Sequence, residues 1–222
     1  MATEEEFPNP RNPVFDYRAL RLLMGFIALS IPFVTRLVAG NPLYSISSSY
    51  YTAARDVFTG MMFVMGTLFW AYNGHTPREK LASKTAAAAL IIAALFPTAC
   101  NDCSANVSSI LHYAAAIVLF GILSYFCFGP FRENTKGQTG KKALRSRIYF
   151  VCGCVMAACL LGTFITQVTM PDQTVKIMRI VYWAETLALL AFGTAWTVAG
   201  KALPFLVDKD EALALFKRKE DN

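Results

Sequence analysis

The stretch of sequence that decides the fold is SSSYYTAARDVFTGMMFVMGTLFWAYNG, residues 47–74, whose apolar part, 52–72, carries the charged pair Arg55 and Asp56 near its start. About 20 consecutive apolar residues cross the hydrocarbon core of a bilayer, about 30 Å thick, as a helix. A charged side chain at the centre of such a helix costs roughly 2.5–3.5 kcal/mol, so it persists where it faces protein or water. The stretch therefore predicts a membrane-spanning helix with a polar site near one end.

The rest of the chain repeats this apolar pattern. Of the 222 residues 55% are hydrophobic and the mean hydropathy is +0.40, which excludes an ordinary soluble domain. Six apolar segments predict an all-α, polytopic transmembrane helix bundle: 19–40, 52–72, 83–99, 107–128, 148–168 and 178–200. We expect a cytoplasmic N-terminal segment (1–18), a six-helix transmembrane domain (19–203) and a cytoplasmic tail (204–222). The acidic, Pro-rich start predicts that no signal peptide is cleaved.

Basic residues predict the orientation. Of the 21 Lys and Arg, 17 fall on one side of a six-span arrangement, and the other side holds Arg36, Arg55, Lys176 and Arg179. The positive-inside rule then places both termini in the cytoplasm. The net charge of +6 is thereby a property of the topology. No basic stretch alternates with exposed aromatic residues, so we expect no nucleic-acid partner.

Polar residues of three predicted spans fall at one depth. Counted from the outer ends of their helices at about 1.5 Å per residue, Asp56, His112 and Glu185 lie roughly 5–10 Å deep. Helical spacing places further polar residues on the same faces. The residues expected to bind a ligand are Tyr51, Arg55, Asp56, Ser109, His112, Tyr182 and Glu185. We expect at least three of the four ionisable groups, Arg55, Asp56, His112 and Glu185, to lie within direct or water-bridged hydrogen-bonding reach.

Each of these groups also has a structural interpretation. Arg55 and Asp56 suit the start of a helix, where the dipole favours an acid and Arg reaches the headgroups. His112 could be a core histidine bonded to a backbone carbonyl. Glu185 could pair with Arg55 or His112 without any ligand.

Two cysteines, Cys100 and Cys103, occupy the predicted outer tip between the third and fourth spans. Their spacing suits a local disulfide, free thiols, a redox pair or half a metal site. We expect a structural role at most, because the other four cysteines lie within spans. Ceramidase-like membrane hydrolases hold a metal with three His, Asp and Ser, whereas this chain has two His. We therefore expect neither a metal nor a cofactor.

Several segments together carry a resemblance: 47–74, 94–97, Leu111-His112 and 145–149. Over most of its length the chain resembles a family of small, uncharacterised multi-pass bacterial membrane proteins. The resemblance implies a location in the bacterial plasma membrane. It implies no activity.

Two functional hypotheses follow from the predicted pocket. The first is a protein that binds or transports a small polar solute or an amphiphile, with membrane lipids as its surroundings and partners. The alternative is an intramembrane, lipid-modifying hydrolase or transferase, with His112 or Glu185 as the acid or base and Arg55 binding an anion. Its nearest candidate nucleophiles are the serines at 47–49, 108 and 109.

Overall fold

The computed structural model describes residues 17–100, 103–133, 135–201 and 203–207. Its α-helices are α1 (Tyr17–Ala39), α2 (Arg55–Ala71), α3 (Pro77–Leu95), α4 (Val107–Phe128), α5 (Pro130–Glu133), α6 (Gly140–Thr169), α7 (Asp172–Ile177) and α8 (Ile180–Ala199). Two 3₁₀ helices cover Ser47–Tyr51 and Pro204–Leu206. The prediction of an all-helical fold is confirmed, with no strand among these residues.

Each of the six apolar segments overlaps one long helix, although α3 begins six residues before its segment and α6 eight residues before its own. Three stretches are long and apolar enough to cross a membrane: Tyr17–Ala39, Val107–Glu133 and Gly140–Thr169. The other three helices depart from that pattern for visible reasons. Helix α2 has only 17 residues, α3 opens with the charged residues Arg78, Glu79 and Lys80, and α8 contains Glu185. The helical character is thus general, and among the described residues α1, α4 with α5, and α6 combine the length and the apolar composition that a membrane span needs.

The six long helices close into a ring. Each packs against its neighbours in the order α1, α2, α3, α4, α6, α8, and α8 returns to pack against α1. Side-chain contacts show that successive helices alternate in direction: Arg21, at the start of α1, contacts Tyr72, at the end of α2. One end of the ring, named here the Trp196 end, collects the start of α1 and the ends of α2, α4 and α8. The opposite end, the Glu185 end, contains the 3₁₀ helix Ser47–Tyr51.

The α1–α8 contact depends on the absence of side chains. A Cβ atom added at Gly25 would lie 2.9 Å from the carbonyl oxygen of Gly193, and one added at Gly193 would lie 2.9 Å from that of Gly25. The two backbones therefore touch directly, as helices do in membranes where small residues face each other. This close approach is what closes the ring.

The Trp196 end is filled by aromatic rings. The indole of Trp196 is fully buried, and its centroid lies 5.1–5.5 Å from five other rings. Named here the aromatic cluster, this group comprises Phe69, Tyr72, Phe126, Phe131, Phe192 and Trp196. The guanidinium of Arg21 lies over two of them, 5.2 Å from the Tyr72 centroid and 5.5 Å from that of Phe131. These contacts close the bundle interior at this end.

Polar caps fix where helices begin. The Thr76 hydroxyl accepts a hydrogen bond from the Glu79 N–H at 3.2 Å, and the Glu79 carboxylate accepts from the backbone N–H of His75 at 3.1 Å. Glu79 is buried because it completes this cap.

Near the C-terminal end of the described residues, Arg145 of α6 donates to the Leu206 carbonyl at 3.2 Å, so residues 203–207 pack against α6. Most of the predicted terminal segments, 1–16 and 208–222, lie outside the described residues.

Candidate functional site

The loop between α1 and α2 crosses the Glu185 end and presents a run of serines. Ser45 and Ser48 bond to each other: the Ser48 N–H donates to the Ser45 hydroxyl at 2.9 Å, and the Ser48 hydroxyl donates to the Ser45 carbonyl at 2.6 Å. Both are buried, as is Ser49, whereas Ser47 keeps partial exposure. Ser47 therefore differs from Ser45, Ser48 and Ser49 in being partly exposed.

Glu185, on the second turn of α8, is held by this loop. One carboxylate oxygen, Oε2, accepts a hydrogen bond from the backbone N–H of Ile46, and the other, Oε1, lies 3.3 Å from the Ser47 hydroxyl. The Ile46 N–H and the Ser47 hydroxyl therefore face the two oxygens of one carboxyl group.

His112, on the second turn of α4, approaches the same serine from the other side. Its Nδ1 lies 3.1 Å from the Ala93 carbonyl and 2.9 Å from the Phe96 carbonyl, at the end of α3. Because a carbonyl oxygen only accepts, Nδ1 carries a hydrogen. Its Nε2 lies 2.9 Å from the Ser47 hydroxyl. His112 is only 3% exposed. Glu185, Ser47 and His112 therefore form a continuous hydrogen-bonded series, named here the polar chain.

The polar chain has two self-consistent proton arrangements. A neutral His112 accepts at Nε2 from the Ser47 hydroxyl. When that hydroxyl turns to donate to Glu185, Nε2 must carry a second hydrogen and the imidazole becomes a cation. Ser47 therefore lies between two proton acceptors, and His112 is the nearer of the two by 2.9 Å against 3.3 Å.

A cavity extends from the polar chain into the bundle. It has a volume of about 60 Å³, more than one water molecule needs. Apart from the polar chain its lining is apolar and comes from α1, α2, α3, α4 and α8 with Ile46. Met62, Met65 and Leu119 flank its length, while Phe69 and Phe192 of the aromatic cluster border its far end. The cavity is therefore polar at the Glu185 end and closed by buried aromatic rings at the other.

Arg55 and Asp56 lie outside the polar chain, which corrects the expectation of one cluster of four ionisable groups. Both are exposed at the start of α2. The Arg55 guanidinium donates to the Tyr50 hydroxyl at 2.9 Å and lies 4.4 Å from the centroid of that ring. The reason is position: as the first residue of α2, Arg55 sits at the edge of the bundle. The structure joins only His112 and Glu185 of the four, through Ser47.

The remaining predicted site residues surround the Glu185 end, each with a bond of its own. Ser109 is buried and exchanges hydrogen bonds with Asn106 in the cap of α4. The Tyr182 hydroxyl donates to the Pro32 carbonyl at 3.3 Å. The exposed Tyr51 donates to the Thr98 carbonyl at 2.6 Å. Partial burial raises the pKa of the Tyr51 phenol, and neighbouring tyrosines add to the rise, so the hydroxyl keeps its hydrogen for that bond.

The segment after α3 is tied to the same end. Cys100 and Cys103 form a disulfide whose Cα atoms lie 5.1 Å apart, one of the alternatives that the sequence leaves open. Directly before it, the carbonyls of Phe96 and Thr98 accept from His112 and Tyr51. In the part of the chain that the structure describes, no three His, Cys, Asp or Glu side chains are grouped so as to hold a metal ion.

Two parts of this site escape sequence reasoning. Ser47 stands in a run of similar serines, and nothing in the run distinguishes it. The Ile46 N–H and the Ala93 carbonyl belong to the backbone, which carries no sequence signal.

Comparisons with protein-family models, with curated proteins and with solved structures find no match for this chain.

Proposed function

We propose that the protein spans a plasma membrane six times, with both termini in the cytoplasm and the Glu185 end facing outward. Support comes from the ring of six alternating helices and from the basic residues. Of the described Lys and Arg, only Arg36, Arg55, Lys176 and Arg179 belong to the Glu185 end. In this arrangement α2, α3 and α8 cross the bilayer as members of the ring, where protein contacts accommodate their polar residues.

Reporter fusions test this topology. A periplasmic reporter fused after Ser104 should be active, whereas the same reporter after Gly137 should be inactive, because an odd number of spans separates the two sites. A cytoplasmic reporter should give the reverse pattern at both positions. Equal activity at Ser104 and Gly137 would contradict a single span between them and the six-span arrangement with it.

We further propose that the protein binds an amphiphile with its polar head against the polar chain and its alkyl chain in the cavity. The observation that carries this proposal is the cavity itself, which is apolar along its length and has Ser47, His112 and Glu185 at one end. Such a combination of apolar walls with few polar groups is typical of small-molecule sites. Because the far end is closed by buried aromatic rings, the ligand enters from the Glu185 end.

The polar chain also determines which kind of head group the amphiphile can carry. The Glu185 carboxyl group, which accepts from the Ile46 N–H, favours a head that donates hydrogen bonds. A neutral head with hydroxyl groups meets this requirement. A medium-chain monoalkylglycerol ether, which has two hydroxyls and a single alkyl chain, is the matching probe.

Binding of this ether to the purified full-length protein, followed by native mass spectrometry, tests the proposal. We expect Glu185→Ala to weaken binding by up to about tenfold, since a hydrogen bond contributes roughly 0.5–1.5 kcal/mol. Glu133→Ala removes an exposed acid at the Trp196 end and serves as the control. Equal ether affinity in the wild type, Glu185→Ala and Glu133→Ala would rule out Glu185 as the head-binding group.

A further inference from the structure

We propose that Ser47 is a nucleophile, activated by His112, that accepts the acyl group of an ester-linked amphiphile lying in the cavity. This inference rests on the proposed function, because it needs an amphiphile with its head at the polar chain. It adds a reaction to that binding and names the substrate class as neutral, hydroxyl-bearing acyl esters, of which a monoacylglycerol is the simplest.

The geometry is that of a nucleophile and its base. Ser47 Oγ and His112 Nε2 are 2.9 Å apart, within the range that proton transfer requires. The base is oriented by a third group, as in other hydroxyl nucleophile sites. Here that group is the pair of carbonyls of Ala93 and Phe96, which hold the hydrogen on Nδ1 and leave Nε2 to accept from Ser47.

Selectivity among the serines follows from burial. Ser48 is buried and uses its hydroxyl to donate to the Ser45 carbonyl, and the Ser49 hydroxyl is buried without a partner among the described residues. Neither lines the cavity. Ser47 does, with Glu185 and His112 on either side of its hydroxyl. It is therefore the one serine of the 45–49 run that touches the cavity, the base and the acid together.

The reaction balances without a cofactor. Ser47 Oγ forms a bond to the ester carbonyl carbon while its proton passes to His112 Nε2. The tetrahedral intermediate collapses as the bond to the alcohol oxygen breaks, and His112 returns the proton to the leaving glycerol. Water then attacks the acyl-serine with His112 again as base, which releases the fatty acid and restores Ser47.

The placement of the substrate follows the cavity. Head hydroxyls donate to Glu185, the acyl chain extends between α2 and α4, and the ester lies between them beside Ser47. An ether of the same length fills the same space and offers no carbonyl carbon to attack. The ether and the ester therefore form a matched pair that separates binding from chemistry.

A medium-chain alkyl fluorophosphonate tests the nucleophile in the full-length protein. Attack by Ser47 forms an Oγ–P bond, fluoride leaves, and the proton passes to His112. We expect labelling of the wild type at Ser47, mapped by peptide mass spectrometry, and protection by the monoalkylglycerol ether. We expect Ser47→Ala to abolish the label, His112→Gln to slow it by about 100-fold or more, and Ser48→Ala to label as the wild type does.

The outcomes separate this inference from the binding proposal. Absence of label at Ser47 in a protein that still binds the ether would overturn the nucleophile and leave the binding proposal standing. Label at Ser47 at the same rate in His112→Gln would overturn the role of His112 as base. If the wild type does not bind the ether at all, the binding proposal itself is contradicted. Because the label is mapped on the wild type, the test of Ser47 as the nucleophile does not depend on any variant folding.

Discussion

Trp196→Ala is expected to lower the free energy of unfolding by about 3–5 kcal/mol, the range for removing a buried tryptophan from a packed interior. The indole is fully buried and lies against five aromatic rings from α2, α4, α5 and α8. In a membrane the lipid is as apolar as the protein interior, so the loss comes chiefly from packing contacts. Thermal unfolding in detergent, followed by size-exclusion chromatography, measures the effect.

Two matched variants make the Trp196 test specific. Trp70→Ala removes the same side chain from a position that is 62% exposed, and it should change thermal stability only slightly. Trp196→Phe keeps an aromatic ring and removes the indole N–H, which is buried without an acceptor among the described residues. Trp196→Phe should lower the thermal stability much less than Trp196→Ala does. Equal losses for Trp196→Ala and Trp70→Ala would mean that the aromatic cluster does not hold the Trp196 end together.

Ala116→Phe is expected to weaken binding of the monoalkylglycerol ether by at least about tenfold. Ala116 lies on the cavity face of α4, one turn from His112, and a phenyl ring there occupies the space assigned to the alkyl chain. Filling an existing cavity need not destabilise the fold, so binding and stability should separate in this variant. Native mass spectrometry with the ether measures the first, and thermal unfolding the second.

The control for Ala116→Phe is two residues away on the same helix. Ala114 is exposed on the opposite face of α4, so Ala114→Phe adds the same ring to the outside of the bundle. It should bind the ether within about twofold of the wild type, because the cavity is unchanged. Equal weakening in both variants would show that the alkyl chain does not enter between the helices.

The helices could be predicted from sequence because each contains a long run of apolar residues, a signal that extends over about 20 positions. His112 and Glu185 reach the same serine, Ser47, because each lies on the second turn of a helix that begins at the Glu185 end. The grouping of the polar side chains did not follow from the sequence. Arg55 was expected beside Glu185, yet as the first residue of α2 it bonds to Tyr50 instead.

The polar chain could not be predicted from the sequence, for a related reason. Ser47 reaches His112 and Glu185 because the α1–α2 loop folds back across the ring, and the pairing spans 65 and 138 residues of sequence. Such long-range contacts leave no local pattern in a single sequence. The same holds for the two backbone carbonyls that orient His112, which any residue at positions 93 and 96 would supply.

The most direct test of the central claim, that an amphiphile occupies the cavity with its head at the polar chain, is photolabelling. A monoalkylglycerol ether with a diazirine in its alkyl chain would be irradiated with the full-length protein in nanodiscs, and adducts mapped by mass spectrometry. Our account predicts adducts on Met62 and Leu119, which line the cavity, and their loss when unlabelled ether is added. Adducts confined to outward-facing residues such as Ile117 and Leu161, unchanged by competition, would contradict it.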